Sequence, residues 1–250
     1  MPIFWRAGST PVTLNGHMDN RHNTLYLGGL CLLLHRGSRA KPAFDMAMDA
    51  MSGGLRWLQL RDKEASRLQL FKTARLLRAL TRANDATLII NDHPDIALAV
   101  DADGVHLGQD DLPVEQVRRL MGDKKIIGVS THSIDQALEA QRGGADYIGF
   151  GPIFATQTKD AGSPKGVDAI RELLAQITIP IVAIGGISEE SLGAVLEAGA
   201  SAVAVASGIL EQDDLTKAVE AYLGIIRGEE KKERGGSAPL QNPPQGDQSP

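Results

Sequence analysis

LRWLQLRDKEASRLQLFKTARLLRALTRANDATLIIND, residues 55–92, decides the fold. It opens with a short apolar run, LRWLQL, that ends at Arg61. From Ser66 to Asn84, Leu70, Ala74, Leu77 and Leu80 recur at helical spacing, which predicts an amphipathic helix. ATLII follows as a second apolar run, closed by Asn91 and Asp92. Strands that are apolar on both faces are buried on both faces, and a helix between them is the crossover that parallel strands require.

The same unit recurs on either side. Upstream, Leu25 to Leu34 predicts a first strand interrupted by Gly28 and Gly29, and PAFDMAMDAM from Pro42 predicts a helix. Downstream come a short helix around Ile96, the strand GVHLG from Gly104, and a helix from Pro113 to Met121. That helix has Val114, Val117 and Leu120 on one face and Pro113 in its first turn. KIIGVS from Lys125 is the fifth strand, Ile134 to Ala140 a helix, and YIGFGPI from Tyr147 the sixth strand. Ile170, Leu173, Leu174 and Ile177 form a helical stripe before IPIVAIGG from Ile179. Leu192, Val195 and Leu196 form another before AVAVAS from Ala202, and a last helix carries Leu215, Val219, Tyr222 and Ile226. Eight strand and helix pairs predict an α/β protein, a closed (β/α)8 TIM barrel, with an open doubly wound sheet as the alternative. Gly149 and Gly151 do not make a dinucleotide motif, because Phe154 occupies the third glycine position and no helix opens there.

A chain of 250 residues, 42% of them hydrophobic, can bury one large core. The barrel is expected over residues 24–228, with a polar extension over 1–23 and a flexible, disordered tail over 229–250, where Gly, Pro, Gln and Ser dominate. A net charge of −5 argues against nucleic acid or anionic lipid as partner, so any anion site must be made locally. The first 23 residues hold no apolar run of signal-peptide length, no run anywhere reaches the length of a membrane span, and the single Cys31 sits in the apolar LCLLL, so a buried thiol and a cytoplasmic protein are expected. His17 and His22 read as solvated loop residues. Oligomeric state is left open.

In a barrel of this kind the chemistry collects where strands end. Those ends read QLRDK, NDH, GQDD, VSTH, GFGPIFATQTK, IGGI and ASGI. Together they place the cations Arg61, Lys63 and Lys159, the carboxylates Asp92 and Asp111, and the hydroxyls of Ser130, Thr156, Thr158 and Ser207 on one rim. Each alone is an ordinary turn or solvated exit; their convergence is what points to a site. Gly185, Gly186, Ser207 and Gly208 follow strands seven and eight, where such barrels hold a monophosphate on bare backbone N–H groups. Asp92 and Asp111 suit Mg2+ completed by water and substrate phosphate, and the three cations beside them suit a diphosphate. The competing reading is that these carboxylates simply pair with those cations. His93 and His106 are set aside as ligands, since Mg2+ prefers oxygen and His106 reads as a strand histidine in the barrel mouth.

The motifs QLRDK from Gln59, ND at Asn91, GVHLGQDD from Gly104, GVSTHS from Gly128, GPIFATQTK from Gly151, AIGGI from Ala183 and VASGI from Val205 resemble, in order and separation, those of the thiamine phosphate synthase (thiamine-phosphate pyrophosphorylase) family. The resemblance runs from Leu25 to Gly228. It implies a Mg2+-dependent transferase that joins an aminopyrimidine methyl diphosphate to a thiazole phosphate, carboxylated or hydroxyethyl, and releases diphosphate. By that resemblance Gln59, Leu60, Arg61, Asp62, Lys63 and Asn91 would bind the pyrimidine diphosphate, and Asp92 and Asp111 the metal. Ser130 and Lys159 would meet the departing diphosphate, with Arg61 and Lys63 sharing the catalytic work. Thr156, Gln157, Thr158, Gly186, Ala206 and Ser207 would hold the thiazole phosphate. Two departures stand out: LLLHRG follows the first strand where relatives often have Thr-Asp-Arg, and Gly208 stands where alanine is frequent. Two rivals remain: a thiazole tautomerase working through His132, and a silent barrel that binds phosphate ligands and acts on a partner.

Overall fold

The computed structural model describes residues 29–35, 41–156 and 162–229. The strands are β1 (Gly29–Leu34), β2 (Trp57–Leu60), β3 (Thr87–Asn91), β4 (Gly104–Leu107), β5 (Ile126–Thr131), β6 (Tyr147–Phe150), β7 (Ile181–Ile184) and β8 (Ala202–Val205). Between and after them run α1 (Ala43–Ser52), α2 (Arg67–Ala83), α3 (Pro94–Ala99), α4 (Val114–Met121), α5 (Ile134–Arg142), α6 (Asp168–Leu174), α7 (Glu189–Glu197), α8 (Ser207–Leu210) and α9 (Leu215–Ile226). All strand pairs are parallel, in chain order, and β1 closes on β8 with Gly29 opposite Ala202 and Leu32 opposite Val205. The fold is a (β/α)8 TIM barrel. Despite the unusual LLLHRG, β1 pairs on both sides.

Alternation along each strand divides the core in two. Leu30, Leu32 and Leu34 of β1 point out to the helices, while Cys31 and Leu33 point in. The inner cluster sets Trp57 and Tyr147 against small Ala202 and Ala204, and the two aromatic rings meet edge-on at 5.4 Å between centroids. That geometry is the favoured one for a π quadrupole. Burial raises the Cys31 thiol well above its ordinary pKa, so it is an inert packing group.

Local chemistry sets the helix starts. Ser66 and Gln69 form a reciprocal capping box at α2, Ser133 accepts from the Gln136 backbone N–H at α5, and Asp214 accepts from Lys217 at α9.

Several expected details shift. The helical stripes put Leu120 and Leu174 on buried faces, yet they are 53% and 44% exposed. In α4 the buried line runs through Val117 to Met121, an i to i+4 step that leaves Leu120 turned away. In α6, Ile170 and Leu173 carry the buried face, the helix stops at Leu174, and Ile177 is buried beyond its end. Leu174 instead lies over Gly199, where an added Cβ would fall 2.3 Å from its Cδ1. Pro113 caps α4 from outside the helix, β6 ends at Phe150, and β7 and β8 stop two residues earlier than expected. The expected start of the first strand at Leu25, the polar extension, and the tail after Glu229 lie outside the described residues. No helix among the described residues is long and apolar enough to cross a membrane.

Candidate active site

Because side chains alternate, β2 sends Gln59 inward and Leu60 outward into the helix-facing core. Leu60 can therefore reach a ligand only through its backbone. Gln59 Nε2 donates to Asn91 Oδ1 at 2.8 Å, and both residues are buried at the mouth of the barrel. This bond orients both amides and leaves the Gln59 carbonyl and the Asn91 NH2 for a ligand. Arg61 is half-buried, anchored by its backbone N–H to Leu34 O at 2.8 Å, and Lys63 is exposed. Asp62 Oδ1 accepts the backbone N–H groups of Glu64 and Ala65, so one of its oxygens serves the turn into α2.

Asp92 follows β3 with φ of 65°, a left-handed conformation that asparagine and aspartate tolerate best, and its N–H is held by His106 O at 2.8 Å. This turn carries its carboxyl to the loop between β4 and α4, where it hydrogen-bonds Asp111. Asp111 Oδ2 in turn accepts the Gly108 N–H at 2.6 Å. Burial, the hydrogen bond to Asp111 and the charge of Asp111 raise the Asp92 pKa, against a downward pull from Lys63 and Arg61. Neither carboxylate forms an ion pair with Arg61 or Lys63 within the described residues. The simple salt-bridge reading therefore does not hold for those two cations. Among the described residues no group of three or more His, Cys, Asp or Glu gathers as a metal cage. This donor set fits a hard dication that takes the rest of its shell from water and phosphate, as Mg2+ does.

Inside the mouth, His106 Nε2 lies 2.9 Å from Ser130 Oγ and its Nδ1 2.9 Å from the Tyr147 hydroxyl. Burial first, then the Arg61 charge, lowers the His106 pKa to about 4, against a smaller upward pull from Asp111, so the imidazole is neutral. Tyr147 fits because its register partner is Gly128, where a Cβ would fall 2.1 Å from Tyr147 Cζ. Tyr147 was read only as the first residue of a strand. Its signal was a glycine two strand positions before Ser130, visible only once the register is known. His132, by contrast, lies at the rim with Nδ1 2.7 Å from Gly151 O.

On the far side, the loops after β6 and β7 are zipped by Ile153 N–H to Ile184 O at 2.9 Å and Phe154 N–H to Gly185 O at 3.0 Å. Gly185 and Gly186 have φ of 95° and 65°, and a Cβ on Gly186 would meet Ala155 O at 2.3 Å. Only glycine allows this approach, which brings Gly186 against the backbone leading to Thr156. Ala206 and Ser207 open the short α8. Gly208, where alanine is frequent in relatives, makes room for a neighbour: a Cβ there would fall 2.5 Å from the Tyr222 hydroxyl, which donates to Ile187 O at 3.1 Å. Gln157, Thr158 and Lys159 lie outside the described residues.

A closed parallel barrel whose C-terminal rim gathers paired carboxylates, cations, and glycine-bounded loops is a TIM-barrel enzyme in class. Residues 30–209 match the sequence profile of the family described as thiamine monophosphate synthase. The chain is 48% identical to the thiamine-phosphate synthase of Halalkalibacterium halodurans over 179 residues, covering 71% of this chain and 85% of that protein. It is also 48% identical to that of Chloroflexus aurantiacus over 184 residues, covering 73% and 85%. Among solved structures, thiamine phosphate pyrophosphorylase from Pyrococcus furiosus superposes with a TM-score of 0.73 at 38% identity, covering 80% of this chain and 96% of that one. The chain belongs to the thiamine monophosphate synthase family.

Proposed function

We propose that this chain, a transferase by family, condenses 4-amino-2-methyl-5-(diphosphooxymethyl)pyrimidine with a thiazole phosphate to form thiamine phosphate and diphosphate. Beyond family, one observation carries the reading: Asp92 and Asp111 meet each other while Arg61 and Lys63 stay out of ion-pair contact with them. Opposite charges kept apart on one rim are held for ligands of their own, a dication and an anion.

The division of labour is the one that the family resemblance implies. Gln59 and Asn91 offer a fixed carbonyl and a fixed NH2 to the pyrimidine. Arg61 and Lys63 meet the diphosphate, joined by Lys159 on the family resemblance, and Ser130 adds a hydrogen bond to it. Mg2+ bound by Asp92 and Asp111 would neutralise charge on the diphosphate oxygens. Across the barrel, Thr156, Gly186, Ala206 and Ser207 hold the thiazole phosphate, with Gln157 and Thr158 assigned to it by family resemblance alone. The bond from methylene carbon to diphosphate oxygen breaks with both electrons leaving on oxygen. The electron-rich aminopyrimidine supports the resulting cation, and the thiazole nitrogen lone pair closes the new C–N bond. No covalent protein nucleophile is needed; the chain supplies charge stabilisation and alignment.

The test is to mix the purified protein with both phosphorylated rings and follow thiamine phosphate and diphosphate, with Mg2+, with chelator, and with Mg2+ restored. Product that needs both rings and returns with Mg2+ is expected. Isomerised thiazole made without the pyrimidine substrate would indicate a tautomerase instead, and tight binding without turnover a silent phosphate-binding barrel.

A further inference from the structure

We propose that Tyr147 and His106 are positioning residues that aim the Ser130 hydroxyl hydrogen out of the barrel, at the departing anion. The identity of that anion as diphosphate rests on the function proposed above; the direction of the hydrogen-bond chain does not.

The three groups form a single line into the interior: Tyr147 hydroxyl to His106 Nδ1 at 2.9 Å, then His106 Nε2 to Ser130 Oγ at 2.9 Å. Tyr147 is 1% and His106 6% exposed, so neither can turn to bulk water. A neutral imidazole has one N–H, so one ring nitrogen donates and the other accepts. The line then runs in one of two directions. In the first, Nδ1–H donates to Tyr147 and Ser130 donates to Nε2. Among the described residues the phenol hydrogen then has no acceptor, because the Tyr147 hydroxyl bonds only to His106 there. A buried donor left unmade carries the full desolvation penalty of the group. In the second, Tyr147 donates to Nδ1, Nε2–H donates to Ser130 Oγ, and the Ser130 hydrogen is released towards the rim. Every group in this line is then paired, so the second direction wins.

Burial also keeps the Tyr147 phenol protonated, its pKa being raised well above the ordinary value. The packing looks built for this line. Gly128 opens the space for the Tyr147 ring, and a Cβ on Gly149, the register partner of Ser130, would fall 3.1 Å from His106 Cε1. Trp57 braces the Tyr147 ring edge-on. The consequence is that Ser130 meets an incoming anion as a hydrogen-bond donor and never with its lone pairs. No proton is transferred; the buried phenol sets the polarity of a hydroxyl two hydrogen bonds away.

The experiment has two arms on the full chain. In the first, 15N-histidine NMR of the free protein, with His106 assigned by its loss in His106→Asn, should show the Nε2–H tautomer, and Tyr147→Phe should abolish that single tautomer. An Nδ1–H tautomer in the wild-type chain overturns the proposal, whatever the enzyme does. In the second, Tyr147→Phe should lower kcat about tenfold, the effect of one neutral hydrogen bond, with KM for the thiazole phosphate unchanged. In a Ser130→Ala background the same change should alter kcat by less than about twofold, since no hydroxyl remains to be aimed. An equal loss in both backgrounds would assign Tyr147 a merely structural role. Absence of thiamine phosphate formation by the wild-type chain would sink the function proposed above, while the tautomer would still decide this inference.

Discussion

Asp92, just after β3, and Asp111, in the loop after β4, bring their carboxyl groups together, and burial and then the neighbouring Asp111 raise the Asp92 pKa. Replacing Asp92 with Asn keeps shape and hydrogen bond while removing a charge. The variant should fold at least as stably as wild type in urea unfolding without metal. It should lose on the order of 100-fold in turnover under Mg2+ titration, as when one preorganised electrostatic partner is removed. Wild-type turnover with an unchanged Mg2+ dependence would show that the pair does not hold the metal.

Gln59 and Asn91 present the opposite case, a satisfied pair whose members cannot be removed singly without a structural cost. Asn91→Ala leaves the buried Gln59 amide unpaired, so stability should drop by about 1–3 kcal/mol. The double variant Gln59→Leu with Asn91→Ala should recover part of that loss, because an apolar pair buries no orphan. Urea midpoints for the three chains decide the matter.

The barrel was legible in the amino-acid sequence because parallel strands are buried on both faces and so appear as short apolar runs with polar ends. Gln59, Asp92, Asp111 and Ser130 could be nominated because each lies at the end of such a run. What could not be read was anything set by contact between distant segments. Whether Leu120 or Met121 faces the core depends on a fraction of a helical turn. Tyr147 looks like any strand aromatic until register places Gly128 opposite it and His106 above it. Gly208 seemed a minor departure from alanine, and its neighbour in space, Tyr222, belongs to a helix that follows it.

That last contact yields a sharp expectation. Gly208→Ala would place a methyl 2.5 Å from the Tyr222 hydroxyl, and the hydroxyl is fixed by its bond to Ile187 O. Overpacking of this kind costs about 1–3 kcal/mol. Tyr222→Phe alone should cost about 1 kcal/mol for its hydrogen bond. The two changes together should cost less than their sum, because the phenyl ring leaves room for the methyl. Thermal or urea unfolding of the cycle measures the coupling; simple additivity would mean that the two groups do not touch.

His106 should make stability depend on pH below about 6.5. Its pKa is lowered to about 4 in the folded chain from an ordinary value near 6.5, chiefly by burial. As pH falls below about 6.5 the unfolded chain takes up a proton that the folded chain refuses, so the unfolded state binds more protons and stability declines. The decline continues to about pH 4, below which both states are protonated and the contribution levels off. The full span is worth about 3 kcal/mol at 1.36 kcal/mol per pKa unit. His106→Asn removes the titrating group and keeps polar atoms in the same place. Urea unfolding from pH 7.5 down to pH 4.5 should show the wild-type chain losing more stability than the variant, with the gap opening near pH 6.5. Parallel curves across that range would mean that His106 takes up its proton as readily in the fold as in the unfolded chain, and burial would not be what keeps the imidazole between Tyr147 and Ser130 neutral.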